Sequence, residues 1–136
     1  MVQTEDLVKW RRIFHQYPEL SEHEFETTKR IKEILELYDI HILDLPLKTG
    51  LVAEIGRGDE FVAVRSDIDA LPIREQVTHA FTSQQDGVMH ACGHDIHMAS
   101  ILGTAIKLKQ IEDQLPGRVR FIFQPAEELG YGASYI

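Results

Sequence analysis

Apolar residues at helical spacing predict two amphipathic helices in the first forty positions. The first begins with Thr4 as its N-cap and ends at Pro18, which cannot continue a helix. The second follows Ser21-Glu22-His23-Glu24, a segment with the spacing of a capping box. Its apolar stripe is Phe25, Thr28, Ile31, Leu35 and Tyr38. His15 and His23 lie near this junction, and we interpret both as structural histidines.

From Ile40 the pattern changes to short apolar runs, which predict strands at 40–45, 51–55, 61–65 and, later, 119–123. A third helix begins at Asp95, which we expect to cap it, and its apolar positions are Met98, Ile101, Leu102, Ala105 and Leu108. Residues 126–136 are predicted to begin another helix. Helices followed by alternating strands and helices predict an α/β fold, with a layered mixed β-sheet flanked by helices.

Length and charge limit the number of domains and the kinds of binding partner that this chain can have. The chain has 136 residues, enough for one domain, and 22 acidic against 14 basic residues give a net charge of -8. Nucleic acid and membranes are therefore not expected partners, because both require a basic patch. Cys92 is the only cysteine, so no internal disulfide is possible, and the cytoplasm is the expected location.

Three polar motifs follow a predicted strand or open a helix: Ser66-Asp67-Ile68-Asp69, Cys92-Gly93-His94 and Ala126-Glu127-Glu128. Each has an ordinary explanation alone, as a turn, a buried cysteine or a charge at a helix start. Together they fit loops that converge beyond the carboxyl ends of strands. Thiolate, imidazole and carboxylate are metal ligands, and so many anionic groups would repel one another without cations. The motifs therefore predict a site for one or two metal ions.

The chain resembles the amidohydrolase branch of the M20 metallopeptidase superfamily, which includes aminoacylase-like enzymes, hippurate hydrolase, auxin-conjugate hydrolases and acetyldiaminopimelate deacetylase. The resemblance rests on four segments: 12–21 (RIFHQYPELS), 64–73 (VRSDIDALPI), 89–95 (MHACGHD) and 123–128 (FQPAEE). It implies a zinc-exopeptidase-like catalytic domain that removes the acyl group from N-acyl amino acids by attack of a metal-bound water.

The resemblance also implies residue roles. Cys92 would bridge two divalent metal ions, His94 would be a terminal ligand, and Glu128 would bind the other ion. Glu127 would serve as general base and then general acid, and Asp69 would orient a ligand.

Asp67 and His97 receive no ligand role from the resemblance and are expected, at most, to support the ligands from behind. The metal ions would be zinc, manganese, cobalt or nickel. The substrate would be a small molecule, and the parent protein a homodimer.

Family members carry further ligand histidines and an inserted lid and dimerisation domain, which these 136 residues do not contain. We therefore expect residues 1–136 to be the N-terminal part of the catalytic domain, a fragment that is inactive by itself. The alternatives are a dipeptidase or carboxypeptidase of the same superfamily, a non-catalytic remnant, and a simple metal-binding protein.

Overall fold

The computed structural model describes the whole chain, from Met1 to Ile136. Three helices and four strands form its regular structure: α1 (Thr4–Gln16), α2 (Phe25–Leu37), β1 (His41–Ile42), β2 (Leu51–Ile55), β3 (Phe61–Asp67), α3 (His94–Gln110) and β4 (Arg118–Gln124). The four strands form one mixed sheet in the order β1-β2-β4-β3. This arrangement confirms the predicted α/β fold.

The parallel pair in the sheet decides where the loops meet. β2 pairs antiparallel with both β1 and β4. β3 and β4 run parallel, with Asp67 beside Gln124 at their carboxyl ends. The loops that follow these two strands therefore leave from the same edge of the sheet.

The hydrophobic core lies between the helices and one face of the sheet. Phe121 and Phe123 of β4, Leu102 of α3 and Leu35 of α2 are fully buried in one cluster of 16 residues. Burial of an apolar stripe on each helix holds the layers together, since each large side chain contributes about 1.5–3 kcal/mol. No helix combines the length and the apolar character that crossing a membrane requires.

Several predicted element ends are wrong. Gln3, not Thr4, is the N-cap of α1, and Gly93, not Asp95, is the N-cap of α3. Asp95 lies inside the first turn of α3, where its carboxylate binds side chains of α1. The predicted strand 40–45 is reduced to two residues.

The predicted capping box and the predicted last helix are also wrong. Ser21 donates its hydroxyl proton to Asp69 rather than closing a capping box, and Glu24 at the N-cap of α2 points into the protein. Residues 126–136 form two short 3-10 helices, Glu127–Leu129 and Gly132–Tyr135, instead of opening an α-helix.

Candidate metal centre

His94 lies at the centre of the candidate site. It is the first residue of α3, follows the left-handed Gly93 and is 2% exposed. Its Nδ1 lies 2.8 Å from the carbonyl oxygen of Asp69 and 3.1 Å from Oδ1 of the same residue. Both of those oxygens can only accept a hydrogen bond, so Nδ1 carries the proton that it donates and Nε2 is the nitrogen left to face a ligand.

Three carboxylates surround Nε2 of His94. Oδ2 of Asp67 and Oε1 of Glu128 both lie 3.6 Å from it, and Oε2 of Glu127 lies at 3.8 Å. These distances are too long for hydrogen bonds. They match the separation of two ligands on one ion, since donors about 2.1 Å from a tetrahedral metal stand roughly 3.4 Å apart.

Cys92 joins the same group. Its sulfur, a ring nitrogen of His94 and a carboxylate oxygen of Glu128 lie within 4.8 Å of one another. The adjacent Glu128 carboxylate, followed by burial and the other neighbouring carboxylates, raises the pKa of the Cys92 thiol. A cation beside it would reverse this effect by stabilising the thiolate.

The electrostatics of the site fit a cation. Burial acts to lower the pKa of His94, but its hydrogen bonds to Asp69 and the charge of Asp67 outweigh burial and raise that pKa to about 9. Oε1 of Glu128 is buried and has no hydrogen-bond partner. A buried carboxylate oxygen left unpaired is costly, and a metal ion in the space before Nε2 would satisfy it.

Asp69 connects the loop after β3 to the loop after β4. Its Oδ2 accepts the Ser21 hydroxyl proton at 2.8 Å and the backbone N–H of Glu128 at 2.9 Å. Burial acts to raise the pKa of Asp69, yet hydrogen bonds from His94, Glu128 and Ser21 lower it overall. One buried, ionised carboxylate therefore fixes a histidine ring and a glutamate backbone at once.

The remaining predicted residues lie at the edge of the group. Asp67 accepts a hydrogen bond from the Arg65 guanidinium on its Oδ1, which leaves Oδ2 facing His94. His97 is one turn along α3, half exposed, with Nδ1 3.8 Å from Oδ2 of Asp67. The structure thus brings all seven residues of the predicted site together around His94, with His97 on the outside.

A second cluster, absent from the sequence prediction, holds the long loop to α1. Nδ1 of His15 lies 2.8 Å from Oδ2 of Asp95, and its Nε2 lies 3.1 Å from both carboxylate oxygens of Glu75. Nε2 of His79 contacts Glu75 at 2.6 Å. His15 therefore has a partner at each ring nitrogen, as expected of a structural histidine, and Asp95 joins this cluster to the start of α3.

Known proteins resemble this chain in both sequence and fold. Residues 63–136 match the model of Peptidase family M20/M25/M40. The chain is similar to the N-acetylcysteine deacetylase of Bacillus subtilis strain 168, with 58% identity over 130 residues, 93% of this chain and 34% of that protein. A second Bacillus subtilis protein, named N-acetyl-L-cysteine deacetylase, is 50% identical over 132 residues, 96% of this chain and 32% of its own length.

Among solved structures, the chain resembles the Bacillus subtilis YxeP protein, described as a dinuclear metal-binding peptidase from the M20 family. The TM-score is 0.94 at 57% identity, and the match covers 96% of this chain and 37% of that one. The chain spans about a third of the length of the curated relatives it matches.

Proposed function

We propose that this chain, which belongs to Peptidase family M20/M25/M40, carries metal-binding and proton-transfer residues of an amidohydrolase acting on N-acyl amino acids. The observation that carries the proposal is the pair formed by Nε2 of His94 and the unpartnered, buried Oε1 of Glu128, 3.6 Å apart. Oε1 of Glu128 has no hydrogen-bond partner within the protein, and a metal ion between the two atoms would satisfy it.

The proposed ligands are Cys92, His94 and Glu128, because their donor atoms share one cluster. Two divalent ions bound there, whether zinc, manganese, cobalt or nickel, would lower the pKa of a water molecule and polarise the carbonyl of the scissile amide. Thiolate favours zinc, cobalt and nickel over manganese. Three donors are fewer than two ions need, so we propose that ligands outside this cluster complete the site and that residues 1–136 alone have little or no activity.

Glu127 is proposed to move the proton. Its side chain is 37% exposed and its Oε2 lies 3.8 Å from Nε2 of His94, so it faces the reacting space while remaining beside the ligands. It would take a proton from the attacking water and give it to the departing amine nitrogen. The reaction consumes one water and releases a carboxylic acid and a free amino acid.

The supporting residues act through the ligands. Asp69 keeps the proton of His94 on Nδ1 and so presents Nε2 as the ligand atom. Asp67 and His97 adjoin the group from the outer side and are proposed to support it without binding metal directly. The whole protein is proposed to be a cytoplasmic homodimer. Its binding partner is proposed to be a small-molecule substrate.

N-acetylcysteine is the proposed first substrate to assay, because two relatives are named for its deacetylation. The test uses the protein as its source produces it, with intact mass measured first and compared with the 15.6 kDa of this chain. Amine release is then followed with N-acetylcysteine, other N-acyl amino acids and dipeptides. Release from dipeptides alone would replace the deacylase proposal with a peptidase.

Two variants separate proton transfer from metal binding. Glu127→Gln is expected to abolish turnover while bound metal stays at the parent level, because only the proton acceptor is lost. Cys92→Ser is expected to lower metal content and turnover together. Loss of metal from E127Q would contradict the role of Glu127, and unchanged metal in C92S would contradict that of Cys92.

A further inference from the structure

Glu24 is a fully buried glutamate outside the proposed ligand set. It occupies the N-cap of α2, but its side chain points away from that helix and is 0% exposed. Oε2 accepts the backbone N–H of Ala126 at 2.8 Å, and Oε1 accepts the hydroxyl proton of Thr49 at 3.0 Å. Glutamate is almost never fully buried unless it is paired, and here these two hydrogen bonds offset the cost of burial. The buried position of Glu24 therefore suggests that one of these contacts has a role.

The segment that Glu24 binds is the turn leading into Glu127 and Glu128. Ala126 is 0% exposed and adopts a left-handed conformation with φ 52, which residues with a Cβ rarely adopt. Such a conformation persists only where surrounding contacts enforce it. The N–H of Ala126 has one such contact, and it is the carboxylate of Glu24.

Two buried carboxylates therefore hold the backbone on either side of Glu127. Glu24 binds the N–H of Ala126 before it, and Asp69 binds the N–H of Glu128 after it. The chain cannot rotate about this turn without breaking one of the two hydrogen bonds. The directions in which the Glu127 and Glu128 side chains leave the backbone are fixed by both.

We propose that Glu24 is a positioning residue, whose acceptor oxygen keeps Ala126 left-handed and thereby directs the carboxylates of Glu127 and Glu128 toward His94. The inference rests on the proposed function, because those two carboxylates matter only if they bind metal and move protons. Glu24 itself contacts no proposed ligand side chain. Its effect passes through the backbone.

The test compares Glu24→Ala with Glu24→Gln in the protein as its source produces it. Glutamine keeps an oxygen for the Ala126 N–H, and its amide can donate to the Thr49 oxygen, so E24Q should bind Co²⁺ like the parent. Alanine removes the acceptor, so E24A should raise the Kd for Co²⁺ by about 10- to 100-fold, the loss usual when groups behind metal ligands are removed. The Co²⁺ absorption spectrum should change in E24A and not in E24Q.

Thr49→Val is the matched control, because it removes the other hydrogen bond of Glu24 and leaves the contact with Ala126. It should lower thermal stability without changing the Co²⁺ affinity or spectrum. If E24A does not fold, E24A/A126G replaces it, since glycine adopts the left-handed conformation without steric strain. Weaker Co²⁺ binding by that double variant than by A126G alone is then expected.

The outcomes distinguish the two proposals. If the parent protein fails to bind Co²⁺, or C92S binds it equally well, the proposed function fails. If the parent binds Co²⁺ through Cys92 and folded E24A binds it with the same affinity and spectrum, only the role of Glu24 is overturned. E24Q losing as much affinity as E24A would also overturn it, because the acceptor would then not be what matters.

Discussion

Asp69 and His94 are joined at two points, with Nδ1 of the histidine 2.8 Å from the aspartate carbonyl oxygen and 3.1 Å from its Oδ1. The aspartate follows β3 and the histidine opens α3, 25 residues later. The other carboxylate oxygen of Asp69 holds the N–H of Glu128 after β4. A single side chain therefore aligns three segments that meet at one edge of the sheet.

Asp69→Asn is expected to weaken metal binding while the protein stays folded. The asparagine amide has one acceptor oxygen where the carboxylate has two, so either the Glu128 N–H loses its partner or the His94 N–H keeps only the backbone carbonyl of residue 69. The Kd for Zn²⁺ or Co²⁺ should rise by about 10- to 100-fold, as measured by competition with a chromophoric chelator. Ser21→Ala is the control, because it removes one donor to Asp69 and neither ligand contact. Equal affinities in D69N and S21A would contradict this role for Asp69.

The sequence was enough to predict that the residues of the candidate site lie close together. Asp67 ends β3 and Asp69 follows it, Cys92 precedes α3 and His94 opens it, and parallel strands send their loops to one edge of the sheet. What pattern reasoning could not supply is the direction of polar side chains near helix ends. Ser21 and Glu24 have capping-box spacing, yet both side chains form hydrogen bonds with distant residues instead, Ser21 with Asp69 and Glu24 with Ala126.

Folding stability should depend on pH through Glu24. Burial raises the pKa of Glu24 above its usual 4.5, despite hydrogen bonds from Ala126 and Thr49, and the charge of Asp69 acts in the same direction. Its pKa is then higher in the folded than in the unfolded state, so the folded state binds the proton more tightly. As pH rises from about 4.5 through the folded pKa, this contribution to the free energy of unfolding is lost.

The glutamine variant E24Q cannot ionise and should not lose this contribution. We expect the free energy of unfolding of E24Q, relative to the parent, to increase between pH 4.5 and neutral pH in urea titrations. Glu36→Gln, at an exposed position paired only with Lys32, should show little such change. A difference between E24Q and the parent that stays constant across this range would refute the assignment.

Glu75→Gln should loosen the long loop from α1. The Glu75 side chain is 4% exposed and accepts hydrogen bonds from the Ser83 backbone at 2.9 Å and from His79 at 2.6 Å, beside His15. Loss of the charge should cost about 1.5–3 kcal/mol, the usual contribution of a hydrogen bond to a charged group. Urea denaturation measures this cost, and hydrogen exchange should show the loop amides opening first. Unchanged exchange around Ser83 would mean that the cluster does not hold the loop.

The cluster of His15, Glu75 and His79 also shows where sequence reasoning ends. His15 and Glu75 are 60 residues apart, and nothing in their local sequences indicates that they meet. Helical spacing placed His15 on α1, and the loop around Glu75 has no periodicity. Only the packing of that loop against the helix brings the charges together.

Gly132→Ala should disturb the candidate site from outside. A Cβ at Gly132 would lie 1.8 Å from the carbonyl oxygen of Pro125 and 2.8 Å from the carbonyl carbon of Ala126, both backbone atoms that cannot turn aside. The turn carrying Glu127 must therefore shift, at a cost of about 1–3 kcal/mol. We expect a lower Tm together with a weaker affinity for Co²⁺, measured on the same preparation.

Ser134→Ala, two residues on and exposed, should change neither. A G132A variant with reduced Tm but parental Co²⁺ affinity would show that the turn can move without displacing the ligands, and would argue against tight backbone control of Glu127 and Glu128.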